Sequence, residues 1–188
     1  MLCRPKGRLT QHRLLYCPKC TSILTSQQIP KAYLPQEGFS MSWNDLRKGR
    51  FSQQNSEYFI TFVCQNRSKI FNNDLAARIF CQQIKLNQQH CDCLWKSWVL
   101  MPDHFHGLLQ LGSEDLSKTI SHLKGITARR VNESLCASGK IWQTSFHDRC
   151  LRKEEDRLGI ARYIVANPLR AELVDDIRLY SYWNSIYL

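Results

Sequence analysis

The segment WVLMPDHFHGLLQL, residues 98–111, limits the fold more than any other part of the chain. Leu94 to Met101 reads as a strand, and Pro102-Asp103 turns the chain. His104–Leu111 then returns beside it as the second arm of a hairpin. Side chains two apart on a strand share a face. His104 and His106 therefore project together, while Phe105, Leu109 and Leu111 project from the other side and fill a core. Such a strand belongs in a sheet that is covered on one face and open on the other.

The rest of the chain supplies what that sheet needs. Tyr58-Phe-Ile-Thr-Phe-Val-Cys64 reads as an earlier strand. Asn73 is placed to cap a helix over 74–87, with Leu75, Ile79, Phe80 and Ile84 on its apolar side. Ser113 is expected to cap a second helix of about 20 residues, with Leu116, Ile120, Leu123 and Ile126 inward. Ile141–Leu151 is expected to be a fourth strand, and Glu154–Ala166 a last helix stopped by Asn167-Pro168. The order βαββαβ plus one helix predicts an α+β, ferredoxin-like (split βαβ) fold: a four-stranded antiparallel sheet with an additional C-terminal helix. Strands one and three are central, and both crossover helices cover the same face.

Residues 1–40 lack periodicity and include the Ser/Gln/Pro-rich TSILTSQQIPKAYLPQEG, which reads as a flexible extension ahead of a domain spanning 41–188. No run of about 18 apolar residues is present, and the basic N-terminus has no apolar segment behind it, so the expectation is a cytoplasmic protein. Nine cysteines in that compartment read as thiols. Cys17-Pro-Lys-Cys20 has the spacing of half a zinc knuckle, but Cys91-Asp-Cys93 does not supply the other half. The net charge of +10 points to a polyanion, with nucleic acid the commonest case. Residues 1–57 carry nine Lys or Arg against three acids, so the excess is concentrated near the start.

Two imidazoles on one open face form a potential metal pair, since each neutral ring offers a nitrogen lone pair. Spacing alone fits two unrelated histidines on a solvated strand equally well. On the last helix Asp156, Gly159, Tyr163 and Asn167 recur at three- and four-residue intervals and share a face. Leu158, Ala161, Ile164 and Val165 form the stripe expected to dock, which aims Tyr163 away from the main buried side. Asn167 is either a helix cap or a third, oxygen ligand. By ligand type, two imidazoles and an amide accept zinc or manganese. Lys118, His122 and Arg129 share one side of the second helix, either as a solvated face or as a nucleic-acid track. Trp95, Trp98, Trp142 and Phe146 are read as core more readily than as base-stacking platforms.

WVLMPDHFHGLLQL resembles the HUH motif (His-hydrophobic-His) of single-tyrosine transposases. IWQTSFHDRCLRKEEDRLGIARYIVANPLRAELV is similar to the tyrosine-bearing segment of the REP-associated branch of that family, and MSWNDLRKGRFSQQNSEYFITFVCQNRSKIF to its opening strand and preceding basic stretch. The resemblance runs from about Met41 to Trp183. It implies that His104 and His106 are metal ligands, that Tyr163 is the nucleophile, and that Asn167 stands where relatives place a third ligand, often a glutamine. It also implies magnesium or manganese as the cofactor, with hairpin-forming, REP-like single-stranded DNA as the partner. A phenol, which titrates near pH ~10, would be activated against a metal-bound phosphate, giving a 5′-phosphotyrosine bond and a free 3′-OH that can rejoin strands. Arg47, Lys48, Arg50, Arg149 and Arg152 become candidates for DNA contacts, with Lys118 beside them on the second helix.

The resemblance leaves open whether the protein is a monomer or a dimer, and whether the tyrosine acts in cis or in trans. Two other functions compete. One is a domesticated hairpin-binding protein without transposition; for the transposase reading the expected location is a bacterial cytoplasm, in association with the nucleoid. The other is a metal-dependent hydrolase or zinc-binding module, which would leave no covalent intermediate.

Overall fold

The structure, a computed structural model, describes residues 52–188. Arg47, Lys48 and Arg50, the Cys17/Cys20 pair and the expected domain boundary at 40/41 lie outside the described residues. Strand β1 (Glu57–Val63) buries alternate residues, Tyr58, Ile60 and Phe62, as a one-sided strand should. Helix α1 (Asp74–His90) follows, with Asn73 accepting a hydrogen bond from the Ala76 amide as expected of its cap. Strands β2 (Leu94–Leu100) and β3 (His104–Gln110) form the hairpin read from the sequence. Helix α2 (Leu116–Leu135), the short strand β4 (His147–Cys150), helix α3 (Arg157–Val165), the single turn α4 (Asn167–Arg170) and strand β5 (Trp183–Ser185) complete the order.

The sheet order is β4-β1-β3-β2-β5, and the pairings between these neighbours are antiparallel. β1 and β3 are central, as the split βαβ pattern requires. The α+β class therefore holds, but the sheet has five strands. β5 escapes a sequence reading because three residues with no alternating pattern give no strand signal; pairing with β2 is what orders it.

One face of the sheet packs against α1 and α2. Phe62, Phe80, Phe105, Trp98 and Trp142 meet there as a network of rings, with Phe62 and Phe105 stacked at 4.7 Å between centroids. Trp95, Trp98, Trp142 and Phe146 are all buried in this cluster, so the core reading of these aromatics holds. A register shift between Trp95 and Ser97 puts Trp95 and Trp98 on the same side. The residue opposite Trp98 is Gly107, where a Cβ would come within 2.6 Å of the Trp95 ring and 2.8 Å of Phe105. Glycine at that position lets the two large rings close over β3.

Three boundaries differ from the sequence expectation. Asp115, not Ser113, caps α2: its Oδ1 accepts from the amides of Ser117 and Lys118, while the Ser113 hydroxyl donates to Asp92. The fourth strand is only His147–Cys150. Ile141, Trp142 and Phe146 are buried, but they reach the core from a loop with one bridge, Cys64 to Trp142. The carbonyls of Gln143, Thr144 and Ser145 are satisfied by the ammonium of Lys124 instead of by a ladder. Finally, α3 starts at Arg157, because the preceding turn is held by Glu155 accepting from the Arg152 amide. The described cysteines are free thiols, and no helix among the described residues is long and apolar enough to cross a membrane.

Candidate functional site

The second face of the sheet carries the histidines. Register places Thr61, His106 and Val99 side by side across β1, β3 and β2, with His104 beside Val63 one step along. His104 and His106 project together as expected, with ring centroids 4.8 Å apart and nearly perpendicular planes. Each ring is held through Nδ1. His104 donates to Asp103 Oδ1 at 2.5 Å, and because a carboxylate only accepts, the proton sits on Nδ1 and the lone pair on Nε2. His106 Nδ1 lies 2.7 Å from the Thr61 hydroxyl, which serves as acceptor when Nε2 is the ligating atom.

The electrostatics keep both rings neutral. Burial pushes His106 down to about 3, helped by the positive charges around it, and burial also lowers His104 despite the adjacent carboxylate. For Asp103, burial works upward, but hydrogen bonds from His104 and Arg67 hold the carboxyl below its ordinary range. Neutral imidazoles held through Nδ1 suit a divalent cation bound at Nε2. Among the described residues no three His, Cys, Asp or Glu side chains gather as a metal site.

α3 packs on this face and brings the tyrosine. Of the expected stripe Ala161, Ile164 and Val165 are buried, but the buried side is wider than that stripe and leaves Leu158 out. Ile160, Tyr163 and Ile164 face the sheet with Val99, Met101, Leu108 and Leu151, whereas Leu158 is largely exposed. Tyr163 is 2 % exposed and belongs to the buried side. In a nine-residue helix two apolar arcs of similar size compete, and the partners on the sheet decide between them. Phe59 of β1 joins the tyrosine to the histidines, its ring 5.8 Å from His106 and 6.2 Å from Tyr163. At the start of α3, Arg157 Nε donates to Glu57 Oε2 at 2.7 Å, and Lys96 pairs with the same carboxylate. The helix is thus moored to its own sheet.

Asn167 opens α4 and is buried. Its Nδ2 donates to the carbonyls of Tyr163 and Ile164, at 3.0 and 2.9 Å. Both readings of this residue therefore stay compatible: the amide nitrogen caps α3, and neither of these bonds uses the amide oxygen. Next on that turn, Arg170 lies over the Tyr163 ring, 4.7 Å from its centroid.

The remaining candidates are more scattered. Arg149 and Arg152 line a surface groove with Cys150 and Glu155, and Arg149 is paired with Glu155 at 2.6 Å. Phe59 and Thr61 pair with Arg149 and His147, so β4 extends the histidine face to the sheet edge. Lys118 is on α2, behind the opposite face, and pairs with Glu114. His122 stacks on His90 at 4.2 Å. Sequence reasoning misses Thr61, Phe59, Asp103 and Arg170. Asp103 is visible beside the motif, but Thr61 and Phe59 need cross-strand register and Arg170 needs the turn after α3.

Comparison with known proteins bears on the family and the fold. The model of the family described as "Transposase IS200 like" matches residues 52–167, a span that holds His104, His106, Tyr163 and Asn167. A Haemophilus influenzae protein named as a REP-associated tyrosine transposase is 26 % identical over 136 residues, covering 66 % of this chain and 77 % of its own. A solved structure described as a REP-associated tyrosine transposase bound to a REP hairpin superposes with a TM-score of 0.61 at 20 % identity, covering 71 % of this chain and 79 % of that one. At that identity the likeness bears on the fold.

Proposed function

The chain belongs to the IS200-like transposase family, and on that premise we propose that it cleaves and rejoins hairpin-bearing single-stranded DNA through a bond to Tyr163. The observation that carries this reading is the meeting, on one sheet face, of two neutral histidines with fixed Nδ1 atoms and the tyrosine of α3, joined through Phe59. A divalent cation, magnesium or manganese, held by His104, His106 and the Asn167 oxygen, would neutralise and polarise the scissile phosphate.

The chain's own residues then have defined work. Asp103 keeps His104 in its ligating tautomer, and Thr61 orients the His106 ring and can accept its Nδ1 proton. Asn167 fixes the end of the helix that carries the nucleophile. The Tyr163 oxygen forms a bond to phosphorus as the P–O3′ bond breaks; the phenol gives up its proton and the departing 3′ oxygen takes one up. One phosphoester replaces another, so a 3′-OH can reverse the step without a nucleotide cofactor. Single-stranded hairpin DNA as the substrate rests on the names of the Haemophilus influenzae relative and of the solved structure. Arg149 and Arg152, at the β4 end of the histidine face, are proposed DNA contacts, with Arg47, Lys48 and Arg50 in the basic stretch before Ser52. Residues 1–40 act as an extension to the domain. α3 packs on its own sheet, which is the arrangement a tyrosine acting in cis needs.

The test is a covalent trap. Wild-type protein incubated with hairpin-bearing single-stranded oligonucleotides and manganese should give a protein–DNA adduct that survives detergent, and Tyr163→Phe and His104→Ala should give none. Normal cleavage by Tyr163→Phe would sink the assignment, and cleavage without any adduct would identify a hydrolase.

A further inference from the structure

The turn that follows the tyrosine helix holds a cation that the activity described above does not use. Arg170 closes α4, three residues after Asn167, so the two side chains lie on neighbouring positions of one turn. Its guanidinium carbon is 4.7 Å from the centroid of the Tyr163 ring. The arginine is exposed while the ring beneath it is 2 % exposed. Anything that reaches the tyrosine from solvent on that side meets the guanidinium.

Three other arginines of this region are neutralised by carboxylates: Arg67 by Asp103, Arg149 by Glu155 and Arg157 by Glu57. Arg170 is not. Among the described residues its side chain has an aromatic face for a partner and no carboxylate. Stacking on a ring fixes the plane of a guanidinium but leaves its N–H donors unspent, and these donors match the paired oxygens of a phosphate. The ring that Arg170 covers is itself 6.2 Å from Phe59, which lies 5.8 Å from His106.

We propose that Arg170 is a phosphate-binding residue of the site, donating to the non-bridging oxygens of the phosphate that Tyr163 attacks while its stacking holds the tyrosine ring in place. The proposal rests on the reading of Tyr163 as the nucleophile. It assigns the charge of the reacting phosphate to two sources, the cation held with the histidine pair and the guanidinium of Arg170. As negative charge builds up on those oxygens during transfer, a donor aimed at them is worth more than in the ground state.

Two measurements on the full chain separate this inference from the reading beneath it. First, in the uncleaving Tyr163→Phe background, binding of a hairpin-bearing single-stranded oligonucleotide is followed against salt. Adding Arg170→Gln should lower the slope of log affinity against log salt by about 0.7, the loss of one single-strand phosphate contact. A residue that only packs on a ring leaves the slope alone. Second, in the otherwise wild-type chain, Arg170→Gln should slow adduct formation by about 100-fold and Arg170→Lys, which keeps the charge but not the fork, by roughly tenfold. Replacing the mapped scissile phosphate by a methylphosphonate should remove the difference between wild type and Arg170→Gln. Equal slopes together with unchanged adduct rates overturn the proposal, and Arg170→Lys decides in the same way should the glutamine variant fail to fold. If wild type forms no adduct at all, the nucleophile assignment falls, and the salt slope alone then decides whether Arg170 holds a phosphate.

Discussion

The two faces of the sheet are built from the same strands but by opposite rules. Behind β1 and β3, α1 and α2 close over a network of aromatic rings, and even a glycine is required so that Trp95 and Phe105 can meet. In front, α3 covers a smaller cluster, and beside it lie the buried His106 and the half-buried His104, with a hydroxyl and a carboxylate as their partners. The parity of β3 makes the division: Phe105 and Leu109 go one way, His104 and His106 the other. Stability is concentrated on the first face. That surplus is what lets the second face keep polar groups out of water, where they cost free energy unless paired.

This division can be broken from either side. The largest effect belongs to Phe80→Ala on α1, whose ring touches Phe62, Phe71, Phe105 and Trp142. It should lower unfolding stability in urea by about 3–5 kcal/mol, while the manganese affinity of the folded protein, measured by calorimetric titration, stays unchanged. A fall in metal affinity would show that the faces are not independent.

Acid should act through the other face. His106 has a folded pKa of about 3, against about 6.5 when unfolded. Below pH ~6.5 the unfolded chain takes up a proton that the folded chain refuses, so stability is lost as pH falls, by up to about 1.4 kcal/mol per unit for one such group. His104 is shifted in the same direction. Urea midpoints taken as pH is lowered from neutrality should decline, and His106→Gln should flatten that decline. An equal slope in the variant would mean that other groups govern acid unfolding.

The smallest change is Thr61→Val, which keeps the shape of the side chain and removes the partner of His106 Nδ1. Stability should drop by only about 1 kcal/mol, yet manganese affinity should fall by at least about tenfold, because the ring loses the group that orients it. Unchanged affinity would show that packing against Phe59 is enough to hold the imidazole.

Much of this division is legible in the chain. The alternation around HFH announces both faces, and Asn73 announces the start of α1, because period and cap chemistry are local. What cannot be read depends on partners distant in sequence. Ser113 and Asp115 are both good caps, and contact with Asp92 and Ser52 settles their roles. Judged from its own helix alone, Tyr163 falls on the outer arc of α3; the sheet puts it inside. The strand expected over Ile141–Leu151 shrinks because a buried lysine meets its carbonyls first. For the site, the histidines and the tyrosine stand out by residue type. Thr61 and Arg170 are ordinary residues until register and a turn bring them into place.

Asn167 has one further consequence. Its amide nitrogen is spent on the backbone of Tyr163 and Ile164, so the side chain cannot move without dragging the peptide that bears the phenol. The length of this side chain is therefore a dimension of the machine. A glutamine, one methylene longer, would need a different helix ending to set its oxygen at the same point, and an aspartate would face two carbonyls with nothing to donate. At this position, substitutions that look alike on paper are not interchangeable mechanically.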